Sequence, residues 1–263
     1  MTQQAAGLEV EHEGGVARLW LARPERRNAL DEALIEALGA ALQRCGEDDA
    51  VRVVVLGGRG KAFCAGADLG MMTRASGYGR EENIADAGRF AQLLATLDAS
   101  PKPTIARLHG ACYAGALGLA AACDIALATD DCRFCFSETR LGLVPAMISP
   151  YVLRVVGHRA ALRWMTTAEP FDAAAALTMG LVCESVPAAE LDGRIAVIAA
   201  ALEACGPRAI AETKRLLRDI GGRPIDAAVV RRTAECIADA RASDEAKARI
   251  GAALAGAARR GTP

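Results

Sequence analysis

The sequence predicts an α/β fold, and three observations carry that prediction. The run VRVVVLGG at 51–58 is apolar throughout and ends in two glycines, as a strand buried in a parallel sheet does. Strand-like and helix-like segments alternate through the first half of the chain. From about Ala188 onward the pattern changes to amphipathic helix alone.

The elements follow in order. LEVEHEGGVARLWL (8–21) reads as a hairpin, because two short strands flank Gly14 and Gly15, which accept the positive φ of a tight turn. Asn28 or Asp31 then opens a helix running to about Glu47, with Leu34, Ile35, Leu38 and Leu42 on one face. The stretch from Gly66 to Glu82 mixes glycines, two methionines and charges of both signs, and reads as a mobile loop. Residues 85–98 read as a helix, TIARL (104–108) as a strand, and CDIALAT (123–129) as another. The helical last third is broken at Gly206-Pro207, at Gly221 to Pro224 and at Ala242 to Asp244.

Bulk properties narrow the function. The chain has 263 residues, enough for one large domain or one domain with an appendage. At 52% hydrophobic and 24% charged residues it can bury a sizeable core. A net charge of −1 and an aromatic content of 4% argue against a nucleic-acid partner, which needs a basic face or a stacking platform. Nine cysteines at irregular spacing read as reduced thiols, hence a cytoplasmic protein. Cys132 and Cys135 form a C-x-x-C with no second pair or nearby histidines, so DCRFCF reads as an alternating strand and no metal is expected. No signal peptide and no membrane span are expected either. The chain holds neither H-E-x-x-H nor G-x-S-x-G, and Val55 stands where GGRGKAF would need the first glycine of a phosphate loop.

One stretch is unusual for what it lacks. YAGALGL (113–119) has the small residues of a strand-to-helix turn and no carboxylate, thiol, imidazole or amine. The first turn of a helix leaves backbone N–H groups without partners, at the positive end of the helix dipole. Small side chains let a ligand approach them, so such a turn suits an oxyanion, although close helix–strand packing explains the same residues. KAFCAGADL (61–69) places a second Gly-Ala at the end of the strand VRVVVLGG. One donor from each loop, converging on a carbonyl oxygen, would polarise a thioester and hold the enolate formed from it.

In this order and spacing, RPERRNALD, KAFCAGADL, PTIARLHGACYAGALGLAAACDIALATD and SETRLGLVP resemble the crotonase (enoyl-CoA hydratase/isomerase) superfamily over essentially the whole chain. The resemblance implies a crotonase (ClpP-like) spiral of β-β-α turns over 1–195 and a helical trimerisation region over 196–263. It implies a homotrimer or dimer of trimers, an acyl-CoA thioester as ligand, and no cofactor beyond the coenzyme A of the substrate. The implied oxyanion donors are the N–H groups of Ala67 and Gly115. Ala65, Asp68 and Leu69 would line the coenzyme A site, with Arg27 at its phosphates, where a guanidinium offers a planar fork of donors. For Asp68, helix capping competes with ligand contact. Arg140 and Tyr113 are weaker substrate candidates, and Asp124 is more in keeping with a structural role.

Hydratases of this superfamily carry two glutamates, at the positions of Gly118 and Glu138 here. This chain keeps Glu138 and lacks the other. Hydration normally divides water orientation and proton transfer between two carboxylates, whereas shifting a double bond from C3 to C2 needs one base. The carboxylate count thus favours a Δ3,Δ2-enoyl-CoA isomerase. The run YAGALGL…CDI followed by FSETRLGLVPAMISPYVLRVVG is instead similar to bacterial methylglutaconyl-CoA and isohexenylglutaconyl-CoA hydratases. Their substrates carry a carboxylate that would place the water in free volume left by Gly118. A dehalogenase is disfavoured because LVPAMISPY offers no aspartate nucleophile. A non-catalytic acyl-CoA-binding homologue is the alternative of a different class. The expected reaction is hydration of a branched or carboxylated enoyl-CoA such as 3-methylglutaconyl-CoA, with Glu138 as acid/base.

Overall fold

The computed structural model describes the backbone of residues 2–260 and the side chains of residues 6–256. The expected hairpin forms from β2 (Leu8–Glu13) and β3 (Val16–Leu21), paired from Leu8↔Leu21 to Glu13↔Val16, with Gly14 at φ 58° in the turn. A further strand, β1 (Thr2–Ala5), adds antiparallel to β2 and was not signalled by the sequence pattern. From β3 the sheet continues in parallel through β4 (Val53–Gly58), β5 (Thr104–Leu108), β7 (Ile125–Thr129) and β10 (Glu184–Val186). All six residues of β4 are buried, which is why that strand is apolar without alternation.

A smaller sheet is made of β6 (Ala111–Tyr113), β8 (Arg133–Cys135) and β9 (Phe171–Asp172). The two sheets alternate along the chain. β5 leads to β6 and then to α4 (Gly115–Ala122); β7 leads to β8 and then to α5 (Ser149–Thr167). The turn after β4 has the same plan, with Cys64 bridging Cys112 in place of a full strand. This is the expected β-β-α spiral.

Helix α1 (Glu32–Glu47) starts at Asp31, whose carboxylate accepts from the Leu34 N–H at 2.9 Å. Asn28 does other work: it is fully buried, accepts from the Arg23 N–H and reaches the carbonyls of Arg59, Ala62 and Phe63. The predicted face Leu34, Ile35, Leu38 and Leu42 is buried. The expected loop at 66–82 contains a helix, α2 (Leu69–Ala75), because Asp68 caps it, and α3 (Arg80–Ala99) begins earlier than its apolar pattern suggests. Phe90, Leu93, Leu94 and Leu97 bury the inner face of α3. Each such side chain contributes roughly 1.5–3 kcal/mol relative to exposure. Helix α4 is buried on every side from Ala116 to Ala122, so it is apolar all round. A short helix, α6 (Ala173–Thr178), follows β9.

The chain divides between Leu202 and Glu203, so the expected boundary at 195 falls inside α7 (Leu191–Ala204). The second unit consists of α8 (Pro207–Ile220), α9 (Ala227–Ala242) and α10 (Asp244–Arg260), separated at the predicted breaks. Among the described residues no helix is long and apolar enough to cross a membrane.

Candidate active site

Two loops cross next to each other. The Phe63 N–H donates to the His109 carbonyl at 2.8 Å, the Cys64 N–H to Ala111 at 3.0 Å, and the Tyr113 N–H to Cys64 at 3.1 Å. The loop 62–68 is thereby stitched to the strand leading into α4. On its other side, Leu30 donates to Gly66 and accepts from Asp68, both at 2.8 Å. These bonds bracket Ala67 and leave its own N–H without an acceptor among the described residues. Gly115, the first residue of α4, has no preceding turn to donate to, and its N–H also lacks an acceptor among the described residues.

The crossing is close enough to dictate residue types. A Cβ on Gly66 would lie 3.0 Å from the Ala114 Cβ and 3.1 Å from the Tyr113 carbonyl oxygen, and Gly66 has φ +97°. Ala114 takes φ 50° and ψ −122°, a conformation that side-chain-bearing residues rarely adopt. Its N–H is tied to the Cys135 carbonyl at 2.9 Å. Strain of this kind gathers at functional turns.

Both free donors open into one cavity of about 430 Å³. Its wall is largely apolar: Leu30 and Ile35, Met71 and Met72 from α2, Phe90 from α3, and Met147 and Ile148 before α5. Four polar side chains line it, Asn83, Asp86, Ser137 and Glu138, and among the described residues no lysine, arginine or histidine does.

Glu138 begins a single 3-10 turn (Glu138–Leu141), whose carbonyl accepts from the Leu143 N–H at 3.1 Å. Its Oε2 is shielded from solvent and has no hydrogen-bond partner among the described residues. Burial pushes its carboxyl above the ordinary value of 4.5, against a smaller opposing effect of its own backbone N–H. A half-buried carboxyl facing a cavity with no bound proton donor is poised to exchange a proton with a ligand.

The remaining expected site residues divide. Ala65 and Leu69 line the cavity, Leu69 with 77% of its surface exposed. Asp68 does not line it. The Asp68 carboxylate caps α2 by accepting from the Gly70 and Met71 N–H groups, and its other oxygen meets Arg23 at 3.3 Å and Arg26 at 3.1 Å. Burial opposes its charge, but the Arg26 guanidinium and the two N–H groups prevail and hold its pKa low. The Asp68 carboxylate is thus engaged in capping and in pairing with two arginines. Arg27 is exposed outside the cavity lining, and its carbonyl accepts from the Ala65 N–H at 3.0 Å. Arg140 and Tyr113 also lie outside the lining. Asp124 is structural: it accepts from the Thr104 N–H at 2.7 Å and the Thr104 hydroxyl at 2.8 Å. Cys132 and Cys135 are buried on and beside β8, and the described residues contain no cluster of metal-ligating side chains.

The expected free volume at Gly118 is not there. A Cβ at that position would fall 2.2 Å from Ile148 Cγ2. Sequence reasoning gave no role to Ile148, Asn83 or Asp86: Ile148 stands in the ISPY run, but its place and those of Asn83 and Asp86 in the cavity come only from the packing of α3 and the start of α5.

Residues 11–235 match the family model described as Enoyl-CoA hydratase/isomerase. The chain belongs to the enoyl-CoA hydratase/isomerase family. The crystal structure of an enoyl-CoA hydratase from Shewanella pealeana superposes with a TM-score of 0.93 at 38% identity, covering 95% of this chain and 94% of that one. Pseudomonas aeruginosa AtuE superposes with a TM-score of 0.87 at 36% identity, over 92% of this chain and 93% of the other. The hydroxycinnamoyl-CoA hydratase-lyase of Pseudomonas fluorescens is 38% identical over 189 residues, 70% of this chain and 68% of its own length. Membership supports an activity of the enoyl-CoA hydratase/isomerase type.

Proposed function

We propose that the protein hydrates, or in reverse dehydrates, a branched enoyl-CoA of the 3-methylglutaconyl type, with Glu138 as its acid/base. One observation carries this reading: the Glu138 carboxyl and the unengaged N–H groups of Ala67 and Gly115 open into the same largely apolar cavity. The thioester oxygen accepts from both N–H groups, which strengthens as negative charge moves onto it. Glu138 takes a proton from water and delivers one to Cα. The hydrocarbon of the acyl chain lies against Met71, Met72 and Phe90. Among the described residues the wall holds two carboxylates and no cation, so a distal substrate carboxylate is directed to the open mouth of the cavity, away from Gly118.

Arg27 and the 65–69 loop are assigned to the coenzyme A moiety, with Arg27 exposed for a phosphate. A trimer-based assembly belongs to the same reading. It is supported by apolar side chains that the helical unit leaves exposed on its own, among them Leu217, Val230, Ile237 and Leu254. Sedimentation at micromolar concentration tests it, and a monomer would refute it.

The activity is tested by mass spectrometry of products from 3-methylglutaconyl-CoA, 3-methylcrotonyl-CoA, crotonyl-CoA and a 3-enoyl-CoA, with Glu138→Gln as control. A gain of one water with the branched substrates supports the proposal. An unchanged mass with a shifted retention time from the 3-enoyl substrate alone establishes the isomerase, which the absence of a side chain at 118 favours. Coenzyme A binding without turnover on any substrate establishes a non-catalytic binder.

A further inference from the structure

Hydration needs more than a base and an oxyanion hole. The water must be held on line with Cβ, and one carboxylate that both takes and returns a proton leaves that task to another group. Position 118 cannot do it, since it has no side chain and Ile148 fills the space beside it. The group must therefore come from the remaining polar lining: Asn83, Asp86 or Ser137.

These three are not equivalent. Asn83 is exposed, and its amide N–H groups, bonded to the Tyr78 and Gly79 carbonyls at 3.1 and 3.2 Å, hold it at the solvent-facing start of α3. Ser137 is the neighbour of Glu138 in the chain and shares its wall. Asp86 comes from the helix α3. Its side chain is only 11% exposed although it is a carboxylate, and the Arg89 guanidinium one turn on binds Oδ1 and fixes its orientation. Asp86 and Phe90 stand four residues apart on one face of the helix. The Phe90 ring lies against Gly115, where a Cβ would sit 3.3 Å from Cζ. The same face of α3 thus meets the oxyanion turn through Phe90 and presents Asp86 one turn away, a rise of about 6 Å. That is a suitable offset between a thioester oxygen and a water approaching Cβ.

We propose that Asp86 is the water-positioning carboxylate of this active site, supplied by α3 in place of a side chain at position 118. The proposal rests on the hydratase reading. In the step, the water oxygen bonds to Cβ as the π electrons move onto the thioester oxygen, held by Ala67 and Gly115. One water proton passes to Glu138 and is returned to Cα as the enolate collapses. Asp86 accepts a hydrogen bond from the other water O–H and exchanges no proton. The net change is substrate plus one water, with the protein unaltered.

The test separates water placement from the rest of the site. Glu138 and the two N–H groups suffice to exchange the α-proton of a saturated thioester such as butyryl-CoA in D2O, a reaction that involves no attack by water. Asp86→Ala, which removes the acceptor, is expected to lower kcat for enoyl-CoA hydration by about 100-fold or more, a loss typical of misplaced reactants, while KM and α-proton exchange stay near wild type. Loss of hydration and exchange together would show that Asp86 supports the cavity by packing and overturns the proposal. Unchanged hydration overturns it as well. If the wild-type protein exchanges the α-proton but hydrates no enoyl-CoA, the hydratase reading itself fails and this role falls with it.

Discussion

Ile148 occupies the space that a side chain at Gly118 would enter. A Cβ at 118 would lie 2.2 Å from Ile148 Cγ2 and 2.9 Å from Ile148 Cβ, with Leu94 Cδ1 at 3.4 Å on the other side. Ile148 is 2% exposed and lines the cavity. The position to which the family resemblance gives a carboxylate is packed here against apolar wall, and the two residues are a matched pair. Glycine at 118 leaves no void for water or for a substrate carboxylate.

Gly118→Glu alone should therefore be destabilising and should not improve hydration. Overpacking a filled core costs roughly 1–3 kcal/mol, and a buried carboxylate without a partner adds to that. Gly118→Glu with Ile148→Ala should recover part of the loss by making room. Urea denaturation of the two variants measures both effects. A wild-type midpoint for the single variant would mean that Ile148 does not fill the site.

Glu138 predicts two opposite pH responses. Its pKa is raised by burial, and the carboxylate is the form that accepts a proton. Turnover should fall with decreasing pH through a value above the ordinary 4.5, and Glu138→Gln should lose activity by about 100-fold or more. Stability runs the other way. A carboxyl whose folded pKa is raised contributes stability that is complete below its unfolded value and lost as pH rises through the folded value. Glu138→Gln should thus be more stable than wild type at neutral pH, by a margin that shrinks as pH falls through the raised folded value toward 4.5 and is gone below it. Paired thermal melts at acid and neutral pH check this; a margin independent of pH would contradict it.

The parts legible in the sequence are those fixed by local chemistry. Gly14, the all-apolar β4, the Asp31 cap and the breaks before Pro207 and Asp244 each impose their element whatever surrounds them. The small residues at the two strand ends were legible, but close packing explains them equally, and Ala67 and Gly115 were singled out only by the family resemblance. Helix α2 was not legible, since the glycines and mixed charges of 66–82 give no apolar period, even though Asp68 at its start is a residue that caps well. Ile148 and Asp86 were not legible either. Their function comes from which elements pack around the cavity, and an isoleucine before S-P or an aspartate on a mixed helix face says nothing of that by itself.

Ala114 makes a prediction about strain. A non-glycine residue at φ 50° and ψ −122° carries a backbone cost of about 1–3 kcal/mol. Glycine removes that cost and adds about 0.4–1 kcal/mol of unfolded-state entropy. Relief wins, so Ala114→Gly should raise Tm by roughly 2–4 °C for each kcal/mol gained in a chain of this size. Differential scanning fluorimetry decides it; a lower Tm would mean that the Ala114 contact with the Gly66 turn outweighs the strain.

Asp68 separates capping from charge pairing. Its carboxylate secures the first N–H groups of α2 and also meets Arg23 and Arg26. Arg23 keeps Asp31 at 2.8 Å and the Ala29 carbonyl at 2.8 Å, so losing Asp68 does not strand it. The cap should dominate, at about 0.5–2 kcal/mol for replacement by alanine, and asparagine caps nearly as well as aspartate. Asp68→Ala should therefore fray 69–75 and Asp68→Asn should not. Because Leu69, Met71 and Met72 line the cavity, the alanine variant should also raise KM for acyl-CoA while leaving α-proton exchange at saturation unchanged. Amide hydrogen exchange across 69–75 gives the structural half of the answer and initial-rate kinetics the functional half. Equal fraying in both variants would assign the stability of α2 to the arginine contacts.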